Sequence, residues 1–203
     1  MPTRKLCTII LTVGTILLAA CGTTPPTRFY TLSAEAQQQT AAEQTRSVVV
    51  GIGPIEVAPY LERSQIVTRT GQTRLNLTEF DRWAEPIENN IANVLAVNLS
   101  RLLPTTQPIV RPWADAGAEY HVLVKILRFD SNPGGDVQLN VNWGIQQSST
   151  RSMPVIREAK ISQPSAGENY EAITKNMSVA LAVLSEEIAS ELGKLINLRQ
   201  ANR

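Results

Sequence analysis

The sequence has few of the side chains on which enzyme and metal chemistry usually depends. Its 203 residues include one histidine, His121, and two cysteines, Cys7 and Cys21. A zinc site takes several cysteine or histidine ligands, and scattered carboxylates around one histidine do not supply them. The G-x-S-x-G motif of serine hydrolases is missing, and His121 falls within a predicted strand, where a histidine is structurally ordinary. We therefore expect no enzyme, no cofactor and no metal site.

Two glycine-containing segments resemble ligand-binding loops only superficially. Gly51 and Gly53 are followed by Pro54 rather than by the further glycine and the helix of a dinucleotide-binding loop. Residues 132–136 have too few oxygen ligands, and lack the regular spacing, for a calcium loop. The sequence thus predicts neither a bound nucleotide nor calcium.

No excess of either charge is present. The chain has 19 basic and 18 acidic residues, and Arg4 and Lys5 lie in the first 20 residues, which contain no acid. The rest of the chain therefore carries 17 basic residues against 18 acidic ones. A nucleic-acid-binding domain usually has a basic excess, so nucleic acid is not expected as a partner. An apolar content of 43% is ordinary for a globular domain.

The first 21 residues, in contrast, have a clear pattern. Arg4 and Lys5 precede an apolar stretch, Leu6–Leu18, which is shorter than the ~20 residues of a membrane-spanning helix. A basic start, a short apolar stretch and small residues describe a secretory signal peptide. The L-A-A-C tetrad at 18–21 resembles the lipobox of bacterial lipoproteins. The alternatives are an ordinary signal peptide that happens to contain a cysteine, and a short hydrophobic anchor. We expect a signal peptide over residues 1–20, cleavage after it, and lipid on Cys21.

Lipid on Cys21 predicts where the protein is held. Each buried CH₂ group contributes ~0.8 kcal/mol, so two or three acyl chains make the attachment effectively permanent. Residues 21–28, which include two prolines, would form the tether. The residue after the cysteine is Gly22 rather than an aspartate, which by resemblance to the bacterial sorting pattern favours the periplasmic face of the outer membrane. Cys7 would leave with the signal peptide, so the mature domain would have no free thiol and no disulfide.

The apolar pattern predicts one α+β domain over residues 29–198 and a polar tail at 199–203. Short β-branched or alternating segments predict strands, some of them joined by turns such as 70–72. Two longer segments repeat apolar residues at helical spacing. The first begins at Pro86 and is stopped by Pro104, and the second covers residues 165–198. We expect a mostly antiparallel β-sheet with these two long amphipathic helices packed on one face.

Two segments are predicted to be loops rich in the residues that anchor protein interfaces. Residues 59–63 lie between strands, and residues 80–86 lead into the first helix. Arginine and aromatic side chains are enriched at the centres of interfaces. The candidate interface residues are Tyr60, Arg63, Arg69, Arg82, Trp83 and Glu85. The alternative is structural: Phe80 and Trp83 would cover the end of the core, while Asp81, Arg82 and Glu85 would cap the helix and pair with one another.

The same segments carry a resemblance to a known family. The start Phe29-Tyr30-Thr31-Leu32, the spaced pattern P-Y-L-x-R-x-x-I-V-x-R at 59–69, and R-W-A-E-P at 82–86 ahead of an amphipathic helix occur in this order. Together with the lipobox, they resemble the ABC-type transport auxiliary lipoproteins, a family of PqiC-like proteins. The resemblance covers the chain from residue 29 to about 198. The Ala- and Gln-rich segment 33–46 and the polar turn at 148–152 depart from the family pattern.

The resemblance implies a function without catalysis. It implies an outer-membrane lipoprotein that faces the periplasm and works with an MCE-type transport system, whose MCE-domain proteins form a tunnel from the inner membrane. The lipoprotein would dock the far end of that tunnel, as a homo-oligomeric ring, and so support lipid movement and envelope integrity. Two other readings stay open: a monomeric periplasmic lipid carrier or chaperone with a large apolar cavity, and a periplasmic hydrolase that depends on His121.

Overall fold

A computed structural model describes residues 24–39, 47–110, 117–132, 134–164, 167 and 169–201. The expected signal peptide, residues 1–20, and Cys21 lie outside these residues. In chain order the elements are β1 (Arg28–Tyr30), β2 (Val48–Val57), a 3-10 turn (Pro59–Leu61), β3 (Gln65–Thr70), β4 (Arg74–Trp83), α1 (Ile87–Leu102), β5 (Thr106–Val110), β6 (Tyr120–Ser131), β7 (Val137–Gln147), β8 (Val155–Gln163) and α2 (Tyr170–Ala201). The protein is an α+β domain, as the sequence predicts.

The eight strands form one sheet with two parts. The main sheet has the order β8-β7-β6-β2-β5, and its longest pairings, β6 with β7 and β7 with β8, are antiparallel. Strand β2 runs parallel to both β5 and β6. The remaining strands, β1, β3 and β4, are called the hairpin extension below. Strands β3 and β4 form an antiparallel hairpin, β1 pairs with β4 in parallel, and β3 reaches β6 through the pair Thr68 and Ser131.

Both helices pack on one face of the main sheet, as expected. Helix α1 lies on β2 and β5, α2 lies on β6, β7 and β8, and the two helices contact each other. Pro86 is the N-cap of α1, where a missing N–H leaves no hydrogen bond unmade. The predicted stripe of α2 is buried from Ile173 to Leu192. Within the described helices, none is both long enough and apolar enough to cross a membrane.

The core lies between the helices and the sheet. Strand β7 shows why: its alternate residues are buried, and the residues between them face the other side of the sheet. The buried set on β7 is Val137, Leu139, Val141, Trp143 and Ile145. Side chains with little or no exposure from both helices, such as Leu95 and Leu181, fill the space above them. The opposite face of the sheet, on which neither of the two described helices packs, is called the outer face.

Two predicted boundaries are wrong. Residues 80–83 are not a loop, because they continue β4 and pair with β1 and β3. The helix expected over 165–198 is observed as α2 from Tyr170 to Ala201, so it continues into the segment expected as a polar tail at 199–203. For residues 80–83, pairing with strands distant in sequence decides the outcome, and local sequence does not report it.

Candidate functional site

The structure divides the six candidate interface residues into two groups and one separate residue. Tyr60 and Arg69 meet at a buried carboxylate, Asp130. The residues Arg63, Trp83 and Glu85 line a surface groove. Arg82 lies on β4 opposite Gln65 and Phe29.

The first group holds the hairpin extension to the end of β6. Asp130 is 0% exposed and accepts hydrogen bonds from Arg69 Nη2 at 2.8 Å and from the Tyr60 hydroxyl at 2.9 Å. Arg128 Nε donates a further bond, also at 2.9 Å. The guanidinium of Arg69 lies 5.8 Å from the centre of the Tyr60 ring. A buried charge is tolerated when it is paired and hydrogen-bonded in this way, so Tyr60 and Arg69 have a structural role here.

The hydrogen bonds from Tyr60, Arg69 and Arg128 also keep Asp130 ionised. Burial raises the pKa of this carboxyl, but hydrogen bonds from Arg69, Arg128 and Tyr60 favour the ionised form and outweigh burial. The net result is a pKa below the usual value of an aspartate. Burial also raises the pKa of the Tyr60 hydroxyl, which keeps it protonated and able to donate.

A second buried carboxylate fastens β1 to β4. Asp81 accepts two hydrogen bonds from the Arg28 guanidinium, at 2.7 and 3.0 Å, and one from the Tyr30 hydroxyl at 2.9 Å. Thr78 donates another. Burial raises the pKa of Asp81, and these donors together bring it below its usual value. Asp81, expected from the sequence only as an alternative helix cap, is instead buried on β4, and its alternation with the buried Trp83 is the sequence signal for this position.

The second group lines an open groove of about 490 Å³ beside the start of α1. Its walls are residues 62–64, which precede β3, and residues 83–88, which join β4 to α1. The Trp83 amide donates to the Ser64 carbonyl at 2.7 Å, and this bond holds the two walls together. Trp83 is buried. The groove is therefore built on the loop before β3, the end of β4 and the start of α1.

The groove has a mixed charge. Glu62, Glu85 and Glu88 contribute carboxylates, and Arg63 contributes one guanidinium. Asn90 donates to Glu85 at 2.8 Å and accepts from the Leu32 amide at 2.6 Å, which fixes the glutamate against the core. Among the described residues, no salt bridge is formed by Arg63, and its side chain is exposed. Such a groove can bind a polar peptide segment through charge-assisted hydrogen bonds.

His121 belongs to neither group of candidate residues. His121 lies half-buried on β6, opposite Gln146 of β7. Across the described ranges, no three histidine, cysteine or carboxylate residues lie together as a metal site would require.

The sequence is similar to those of known transport lipoproteins. The chain is 21% identical to the intermembrane transport lipoprotein PqiC of Escherichia coli (strain K12) over 189 residues, which is 92% of this chain and 97% of that protein. It is equally similar to the PqiC of Shigella flexneri.

Two crystal structures share the fold. One, of an uncharacterized protein, has a TM-score of 0.69 at 19% identity and covers 83% of this chain and 99% of its own. Another, from Xanthomonas campestris, has a TM-score of 0.68 at 16% identity and covers 86% and 99%. The family model described as an ABC-type transport auxiliary lipoprotein component matches residues 30–189. The chain belongs to the family of ABC-type transport auxiliary lipoproteins.

Proposed function

We propose that the protein is a lipid-anchored docking subunit of an MCE-type intermembrane transport system. It is held by Cys21 to the periplasmic face of the outer membrane and acts without catalysis. Membership of a transport auxiliary family supports this function, as does the name of the PqiC relatives, which are intermembrane transport lipoproteins. The partner is an MCE-domain protein, and several copies of the chain form a ring around its end.

The observation that carries the proposal is the groove at the start of α1. It presents Arg63, which is exposed and forms no salt bridge with any described residue, beside Trp83 and three carboxylates. Arginine is enriched among the residues that contribute most to binding at interfaces. A guanidinium without an ion-pair partner can form charge-assisted hydrogen bonds with an incoming segment. A groove with both charge signs also discriminates among partner segments, since like charges placed together are costly.

The test is co-purification of the lipidated protein with its MCE-domain partner from membranes. Charge reversal by Arg63→Glu should weaken co-purification at least tenfold, because a fourth carboxylate would then repel whatever the arginine binds. Lys160→Glu, a charge reversal at another exposed position, on β8 where the lysine pairs with Glu158, is the control. Unchanged co-purification of Arg63→Glu would remove the groove from the proposed interface.

The anchor and the ring have separate tests. Mass spectrometry of the mature N-terminus should find it at position 21, with diacylglyceryl on the cysteine sulfur. Crosslinking in intact cells should give a ladder of oligomers that ends at one fixed size, as a closed ring requires. A strictly monomeric protein that co-purifies with lipid would instead support the carrier alternative.

A further inference from the structure

The outer face of the hairpin extension carries apolar side chains that the core does not use. Phe29 on β1 is 66% exposed, and Leu77 on β4 is 50% exposed. The register along β3 places both on the same face. Phe29 lies opposite Arg82, which lies opposite Gln65, and Leu77 lies opposite Val67, two residues further along β3. A bulge between these two pairs takes up the odd number of residues from Leu77 to Arg82 on β4.

This face is the one turned away from the main core. Ile66 and Trp83 belong to the main core cluster, whereas Val67 is buried outside it. Arg69, on the same face as Val67, reaches Asp130 on the outer side of β6. The exposed pair Phe29 and Leu77 therefore continues the outer face, and no described segment of the chain covers them.

The short segment between Cys21 and β1 limits how far the start of β1 can lie from a membrane anchor. Strand β1 begins at Arg28, seven residues after Cys21. Seven residues reach at most about 25 Å when fully extended. With lipid on Cys21, the beginning of β1 cannot be further than this from the bilayer surface, and it is the part of the domain closest to the anchor along the chain.

One basic side chain, Arg82, lies on the same face as Phe29. Of the other arginines in these strands, Arg28 and Arg69 are paired with Asp81 and Asp130. Arg74 lies opposite Thr70, on the other face of the hairpin. An anionic bilayer attracts exposed Lys and Arg by ~1 kcal/mol each. Phenylalanine and leucine gain free energy by entering the boundary between headgroups and acyl chains.

We propose that the outer face of the hairpin extension, with Phe29, Leu77 and Arg82 at its centre, lies against the anionic phospholipid headgroups of the bilayer that holds the anchor. The inference rests on the proposed lipidation of Cys21. It gives the domain a fixed orientation on the membrane, with the hairpin extension toward the lipid.

The composition of the chain makes the test direct. Once the signal peptide is removed and Cys21 is acylated, no free thiol is left, so one introduced cysteine takes one label. The variants Phe29→Cys and Leu77→Cys are each labelled with a fluorophore on the full lipidated protein in vesicles of phosphatidylethanolamine and phosphatidylglycerol. Leu198→Cys, 61% exposed on α2, is the matched control. Quenching by headgroup-labelled nitroxide lipid should be at least threefold stronger at positions 29 and 77 than at 198.

Each outcome decides one part of the inference. Equal quenching at all three positions, with Cys21 shown by mass to be lipidated, would overturn the proposed orientation while leaving the docking function intact. An unmodified Cys21 would overturn the anchor and the proposal together. A label at 29 that is already shielded in lipid-free detergent would mean that protein, such as a second copy, covers this face. Adding Arg82→Glu should halve the quenching at 29 in anionic vesicles, and no change would contradict the role of headgroup charge.

Discussion

The main sheet and the hairpin extension are stabilised in different ways, although their strands belong to one continuous sheet. The main sheet has long backbone pairings and a continuous apolar layer under both helices. The hairpin extension has one backbone pair with β6 and two buried carboxylates held by arginine and tyrosine. The free energy of hydrophobic burial depends little on pH or on the relative orientation of the groups. The strength of a charge-assisted hydrogen bond depends on the charge of both groups and on the angle between them. The two parts should therefore respond differently to mutation and acid.

The largest expected effect is in the main core. Leu95→Ala removes a fully buried side chain between α1 and the sheet and should lower the free energy of unfolding by about 3 kcal/mol. Chemical denaturation measures this loss. Hydrogen exchange should quicken in both parts, because the core supports both. If exchange quickened only in α1, the two parts would be less coupled than the shared sheet indicates.

Asp130→Asn should have a somewhat smaller and more local effect. It leaves Arg69 and Arg128 without their carboxylate, at a cost of about 2 kcal/mol, since both guanidiniums keep some contact with water. Hydrogen exchange should quicken in β3 and β4 while β7 stays protected. Asp136→Asn, at an exposed aspartate in the turn before β7, is the matched control and should change little. Equal loosening of β7 would contradict the separation between the two parts.

Acid should loosen the hairpin extension before the main sheet. The pKa values of Asp81 and Asp130 are lower in the folded protein than the usual value near 3.8. Between those values the unfolded chain binds more protons than the folded one, so stability falls as the pH falls. The loss begins near pH 4 and at that pH is smaller than the effect of Asp130→Asn. Exchange of the β4 amides across pH 3 to 6 measures it, and a variant with both aspartates changed to asparagine should lose this pH dependence.

The smallest effect is expected at an exposed ion pair of the main sheet. Lys125 lies 3.2 Å from Glu56 on the outer face, and both side chains are mostly exposed. Lys125→Ala should change the free energy of unfolding by less than about 0.5 kcal/mol. A loss comparable to that of Asp130→Asn would show that surface charge, and not burial of charge, distinguishes the two parts.

Sequence patterns predict the elements of the main sheet well, because its core depends on local periodicity. The alternation on β7, the apolar stripes of both helices and the start of α1 at Pro86 all follow from residue spacing. The parallel pairing of β2 with β5 and β6 does not, since a strand's neighbours are chosen by the whole fold.

The candidate site was harder to predict for the same reason. Arg69 and Tyr60 were expected at an interface, but Asp130 is 61 residues from Arg69 and 70 from Tyr60 along the chain. No local pattern reveals that these side chains meet. Arg63, Trp83 and Glu85 were predicted because arginine and tryptophan side chains are enriched at protein interfaces, and the structure places all three along one groove. Whether the groove they line binds a partner is what Arg63→Glu tests.

The parallel pairing of β1 with β4 has a mechanical consequence. A lipid anchor on Cys21 would transmit any pull from the membrane into the first residue of β1, which is Arg28. A load applied along that strand shears its backbone bonds to β4 together with the two bonds from Arg28 to Asp81, rather than opening them one at a time. Strand β1 and the ion pair between Arg28 and Asp81 would then be the part of the domain that bears the force from the membrane.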